Sequence, residues 1–299
     1  YWELFLDLLL VAAATSISDQ FKENLNRRGL LEFIILYVVT INGWLLYTHH
    51  ITTRFEDTSM AHAMVLFIYY FGFGLSVVNS SFENISQFCT GAILQRVSLF
   101  IILGSIARSI PRARYFCSIL VAIMGISSVA LVLSLWTESV VCLAISATIE
   151  FLGEVIMVAF AVDMRRMVPV NIEHSKDRFG VLVLVMMGET ALSLTLSYRE
   201  VREEAVVDSH VYYWVLGLSM LLIYMYTLLY FHMQPSPHEH ALRRSVFHGT
   251  SVFLAHKVLG LALLTVGVSV KLVVEATLLE EELSTMGAAL LGYAVSAAL

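Results

Sequence analysis

Apolar residues along this chain come in long unbroken blocks separated by short charged segments, and the blocks have the length of a bilayer crossing. A membrane helix needs roughly 20 mainly apolar residues, within a range of about 17–25. Blocks at 2–18, 30–49, 61–80, 91–107, 115–136, 140–163, 179–197, 211–232, 248–273 and 284–299 predict about ten such helices. Charge and proline mark the separators: Lys22 to Arg28, Arg54 to Asp57, Arg108 to Arg114 around Pro111, Met164 to Arg178, Arg199 to Asp208, Gln234 to Arg244 with Pro235 and Pro237, and Glu280-Glu281-Glu282. Strands of a membrane barrel alternate over about ten residues, whereas these runs are continuous. The expected fold class is therefore all-α, a polytopic transmembrane helical bundle. The connections are too short to hold a soluble domain, so residues 1–299 read as a single transmembrane domain.

Composition agrees. Hydrophobic side chains make up 58% and charged ones 14%, against about 45–50% and about 25% in soluble chains, and mean hydropathy is +0.79. The net charge of −6, from 18 basic and 24 acidic residues, leaves no basic footprint for nucleic acid. The partners to expect are the lipid bilayer and a small solute or ion. The chain opens at Tyr1-Trp2 and closes inside the apolar run Ala294 to Leu299. That pattern fits the hydrophobic part of a longer protein, and no charged leader or cleavage site precedes the first block.

Lys and Arg counts orient the bundle. Loops after even-numbered blocks hold Arg54, Arg108, Arg112, Arg114, Arg165, Arg166, Lys176, Arg178, Arg243 and Arg244, ten in all, against five (Lys22, Arg27, Arg28, Arg199, Arg202) after odd-numbered ones. The even loops are expected in the cytoplasm, with the fragment's N-terminus on the same side of a cell membrane. Cys89 and Cys142 then lie on the outer side, where a bridge between them competes with a plain packing role. Sequons at Asn79 and Asn84 also fall there, and read as a polar turn.

A charge at the bilayer centre costs roughly 2.5–3.5 kcal/mol on insertion scales, so intramembrane acids are functional candidates. Glu3 and Asp7 are four apart and share one helical face, as do Glu150 and Glu154; Glu189 falls within the seventh block, and Asp163 closes the sixth. Arg96, His256, Lys257 and Lys271 are the basic groups inside the blocks. Internal pairing that ties the bundle together is one reading. A proton or cation pathway of stacked carboxylates is the other, favoured by the excess of acids over intramembrane cations. His232, His238 and His240 could meet a metal in a loop, although a solvated loop is the plainer reading. Gly72, Gly74, Gly188, Gly260 and Gly267 suit close helix approach.

Three segments resemble a known family. Trp2-Glu3-Leu4-Phe5-Leu6-Asp7-Leu8 resembles the Glu-Leu-Phe-Phe-Asp-Leu opening of the low temperature requirement protein A family. Arg54-Phe55-Glu56-Asp57 resembles its Arg-Phe-acid segment. His174 to Gly180 with Gly188-Glu189-Thr190 resembles its His…Glu-Arg-Phe-Gly…Gly-Glu-Ser block. Leu6, Asp177 and Thr190 depart mildly from that pattern. The resemblance implies a multi-spanning microbial membrane protein and names no substrate.

Glu3-x-Phe5 and Asp177-x-Phe179 also match at an offset of 174, each ahead of an apolar run bearing one more carboxylate. This suggests parallel repeat halves 1–173 and 174–299, the second cut short. The leading expectation is a proton- or cation-coupled secondary transporter or channel-like protein. Its coupling and pathway residues would be Glu3, Asp7, Glu150, Glu154, Glu189, Arg178, His256 and Lys257, with Arg178 and Asp177 as an inner-gate pair. An intramembrane redox or metal- or haem-binding enzyme is the alternative, weakened by the lack of a His-x-x-x-His or His-Glu-x-x-His motif and of a nucleophile box. A membrane sensor or scaffold is the third.

Overall fold

The computed structural model describes residues 2–57, 59–160, 168–204, 209–236, 239–278 and 287. Among them there is no strand. The helices are α1 (Trp2–Glu23), α2 (Arg27–Leu45), α3 (Met60–Val78), α4 (Ile85–Ser109), α5 (Arg114–Thr137), α6 (Val140–Phe151), α7 (Gly153–Phe160), α8 (Ile172–Glu204), α9 (Ser209–His232), α10 (Ala241–Arg244) and α11 (Val246–Leu278). Among the described residues eight stretches are long and apolar enough to cross a membrane, and they coincide with eight of the ten expected blocks. The sixth block is two shorter helices, α6 and α7, parted at Leu152 and Gly153, where a glycine weakens the helix. The tenth block lies outside the described residues, apart from Gly287.

Local chemistry sets the boundaries. Asn26 caps α2 by accepting from the Gly29 N–H at 2.9 Å, and Ser59 caps α3 by accepting from the His62 N–H at 3.2 Å. Glu138, at φ 51°, reverses the chain between α5 and α6. Gly72 and Gly91 let α3 and α4 touch backbone to backbone. A Cβ on Gly72 would stand 2.8 Å from the Gly91 carbonyl oxygen, closer than any side chain tolerates.

Large apolar side chains such as Met60, Phe67, Val78, Trp136 and Trp214 point outward and are highly exposed, which is the expected face for lipid. The interior is built on Trp44, Tyr69, Phe73, Phe88 and Phe116, together with Arg96 and Lys271. The end of α2, the end of α4 and the residues just before α8 come together at one end of the bundle. Residues from all three line one cavity there, among them Arg54, Ser109 and Asn171. The start of α8 lies at the same end as the start of α1, where His174 meets Glu3. The two helices then pack in parallel, with a constant sequence offset of 171 between bonded residues.

Candidate functional site

The α1–α8 interface carries charge in layers. At the mouth, His174 Nε2 lies 3.1 Å from Glu3 Oε2. One turn deeper, Arg178 Nη1 reaches Asp7 Oδ2 at 3.2 Å and Glu3 Oε2 at 3.4 Å, and the Trp44 indole N–H donates to Asp7 Oδ1 at 2.9 Å. Glu3 and Asp7 thus share one guanidinium, as their four-residue spacing on one helix face permits. Arg178 turns across the interface to these acids and not to its neighbour Asp177, because adjacent residues on a helix point in different directions. The expected Arg178–Asp177 gate pair is corrected accordingly.

Glu189 lies in a separate, deeper layer. The Ser18 hydroxyl donates to Glu189 Oε1 at 2.7 Å, while Lys271 Nζ from α11 donates to Glu189 Oε1, Ser18 Oγ and Asp19 Oδ1, each at 2.9 Å. Lys22 and Glu275 form a further ion pair toward the far end. Asp7 and Ser18 are eleven residues apart, so the two layers are separated by about 16 Å of helix rise. Side-chain exposure falls from 34% at His174 and 23% at Glu3 to 9% at Asp7 and 0% at Glu189, then rises to 54% at Asp19, the other partner of Lys271.

The mouth opens into a cavity of about 1260 Å³ lined by Glu3, Tyr47, Arg54, Asp57, His62 and His174, among others. Its rim joins two of the segments singled out in the sequence, since the Asn171 N–H donates to the Thr53 carbonyl at 3.0 Å. The Arg54 guanidinium stands 4.9 Å over the Phe116 ring and donates to the His49 carbonyl at 2.9 Å. The Ser59 N–H donates to Asp57 at 2.8 Å, and this bond holds the Asp57 carboxyl below its ordinary value of 3.8. Beside the mouth α2 widens into a π-helix, Leu46–Ile51, which turns both His49 and His50 inward; such bulges cluster at functional sites. His49 Nε2 shares a hydrogen with the Ser175 hydroxyl at 2.8 Å.

The other predicted residues lie apart from this seam. Glu150 on α6 takes a two-point bond from Arg96 on α4, at 2.8 and 2.6 Å, and a third from the Ser127 hydroxyl on α5 at 2.7 Å. The side chain of Glu154, and Asp163 altogether, lie outside the described residues. Lys257 packs its ammonium 4.9 Å over the Phe253 ring, while its carbonyl accepts from the Tyr37 hydroxyl at 2.8 Å. His256 faces the opposite way, stacked on Phe179 at 4.2 Å. Asp7, Glu150 and Glu189 each meet a cation, from Arg178, Arg96 and Lys271.

Cys89, Cys117 and Cys142 are free thiols. No three of His, Cys, Asp and Glu among the described residues come together in a metal-holding group. Sequence reasoning missed Trp44, Ser18 and Asp19, which carry no signal of their own. Lys271 did carry one, a lysine inside an apolar run.

No curated protein and no solved structure matches this chain. The family model of the bacterial low temperature requirement A protein (LtrA) matches residues 1–299. With its apolar crossings and its paired first and third signature segments, the chain is an integral membrane protein belonging to the LtrA family.

Proposed function

We propose that this protein is a proton- or cation-coupled transporter of a small solute or ion. In this reading it sits in the cell membrane with the α1 entrance on the cytoplasmic side, and the α1–α8–α11 seam is its coupling path. The observation that carries the reading is the sharing of Arg178 by two stacked carboxylates, the outer of which, Glu3, lines a large cavity. A proton or cation that neutralises Glu3 leaves Arg178 to Asp7 alone, and one that neutralises Asp7 returns it to Glu3. Each state keeps the buried guanidinium paired, so the site switches between two satisfied arrangements. Glu189, with Lys271 and Ser18, is the inner station. Parallel α1 and α8 serve as the opening helices of two halves, 1–173 and 174–299, with coupling groups at their interface, as in transporters built from parallel repeats. Glu150 and Lys257 hold the neighbouring helices in place beside this path, and His256 lies on its outer side.

Flux in phosphatidylcholine liposomes holding a pH-sensitive dye, screened against small cations and solutes, tests this. Asp7→Asn and Glu189→Gln remove a charge with little change in volume, so both should assemble normally and lose flux or its pH dependence. Equal flux by both variants and the parent across about pH 5 to 8 would assign the acids a purely structural role and favour the scaffold reading.

A further inference from the structure

A second cavity, of about 380 Å³, lies on the other face of α8, between α8, α9 and α11. It belongs to none of the charged layers. Its volume is at the small end of ligand pockets, which run from about 300 to about 1,000 Å³, and suits one chain and not two. Its walls change character with depth. Lys176, Gln234 and His240 surround the entrance at the loop end, while Val183, Leu229, Leu259 and Leu263 line the interior. From Lys176 to Val183 is seven residues of α8, about 10 Å toward the bilayer centre. Polar entrance and apolar depth thus run in the direction of a lipid monolayer.

Hydrogen bonding at the entrance leaves donors uncommitted. His256 Nδ1 meets the Val252 carbonyl at 2.7 Å and must donate, so its Nε2 accepts from the Tyr230 hydroxyl at 3.0 Å. That pair is closed. His240 differs: its Nδ1 accepts from the Leu242 N–H at 3.3 Å, which places the ring proton on Nε2. No described residue is bonded to this Nε2–H, and His240 lines the cavity. Burial and the nearby Lys176 ammonium hold this imidazole below its ordinary range, so it stays neutral and keeps that proton. Lys176 reaches only the Pro235 carbonyl, at 3.4 Å, and has no carboxylate partner among the described residues. The α9 wall is the one turned to lipid, since 11% of its crossing is buried against 59% for α8 and 61% for α11.

We propose that this cavity binds a single-chain amphiphile with a carboxylate head, a fatty acid drawn from the surrounding membrane. One carboxylate oxygen takes the Lys176 ammonium and the other the His240 Nε2–H, both as charge-assisted bonds, while the chain fills the space between α8, α9 and α11. The site is independent of the transport reading.

The full chain in phosphatidylcholine nanodiscs, titrated with dansyl-undecanoic acid, tests it. Saturable binding is expected, with displacement by laurate and about tenfold weaker displacement by methyl laurate. Lys176→Gln and His240→Phe should each weaken binding about tenfold, and Leu263→Trp, which fills the cavity, should abolish it. Thermal unfolding checks that each variant is folded; Lys176→Gln changes a half-buried entrance residue and keeps the test decisive if Leu263→Trp does not fold. The proposal is overturned by absence of saturable binding, by equal displacement with the methyl ester, by equal displacement with phosphatidylglycerol, or by unchanged affinity in Lys176→Gln.

Discussion

Two regions of this bundle bury a carboxylate against a cation, and they do so under opposite conditions. In the α4–α6 cluster Arg96 and Glu150 are 1% and 3% exposed, joined at two points, and braced by Ser127. The partners come from successive helices, and nothing in that arrangement opens to a large cavity. Along the α1–α8–α11 seam the charges are graded, from a mouth shared with the 1260 Å³ cavity, through the buried Glu189–Lys271 pair, to the exposed Asp19 that also bonds Lys271. Arg178 serves two acids there, while Arg96 serves one. A sealed two-point pair holds helices together and exchanges nothing without opening the bundle. Arg178 instead divides its bonds between two acids, the outer of which lines the cavity.

The sharpest way to break this contrast is to remove one partner of the sealed pair. Arg96→Met leaves Glu150 buried without its cation, at a cost of about 3–5 kcal/mol, read as a large fall in unfolding temperature in detergent. Pairing Arg96→Met with Glu150→Leu should recover most of that loss, since an apolar pair of similar volume replaces a buried ion pair at little cost. A double variant as unstable as the single one would show that Arg96 holds more than Glu150.

Next in size is a change that touches no charge. A Cβ at Gly267 would stand 2.5 Å from Thr190 Oγ1 and 3.1 Å from Glu189 Oε2. Gly267→Ala should therefore cost about 1–3 kcal/mol through overpacking and disturb the inner layer of the seam. An unfolding temperature equal to the parent's would mean that α8 and α11 slide apart easily at this height. Asp7→Asn should cost about 1 kcal/mol, well below Arg96→Met, because Trp44 can still donate to the amide oxygen and Arg178 keeps Glu3. Comparable destabilisation in the two variants would erase the distinction between seam and cluster.

The smallest effect belongs to the cavity rim. Asp57 has its pKa lowered by the Ser59 N–H, so its contribution is present above the ordinary value of 3.8 and is lost as pH falls through the lower folded value. Asp57→Asn should remove a shallow slope in unfolding temperature in that acid window and leave the curve near neutrality unchanged. The effect is small because the carboxylate is 47% exposed and screened by water.

The blocks of apolar residues carried the class of the fold, and Glu3, Asp7, Glu150 and Glu189 were legible because a carboxylate inside an apolar run has no bland explanation by composition. Lys271 was equally visible, yet its pairing with Glu189 was not. Neither were the partners of Arg178, which the sequence paired with its neighbour Asp177 and the fold gives to two acids on α1. Trp44, Ser18 and Ser127 bond to those acids, and no one-dimensional pattern marks a tryptophan or serine in a membrane helix as a ligand of a carboxylate.

The sequence by itself determined that the chain crosses a membrane repeatedly as helices, because backbone groups in hydrocarbon must bond within their own segment and the length of each apolar run sets each crossing. It also determined which residues were too costly to face lipid. Only the tertiary structure decided how those residues are matched. Which cation meets which acid depends on the height at which helices 171 or 253 residues apart come to lie side by side. That height is set by packing over whole helix faces. Glycines such as Gly72 and Gly267 add to it by permitting close approach, so the matching is a property of the assembled bundle and not of any one segment.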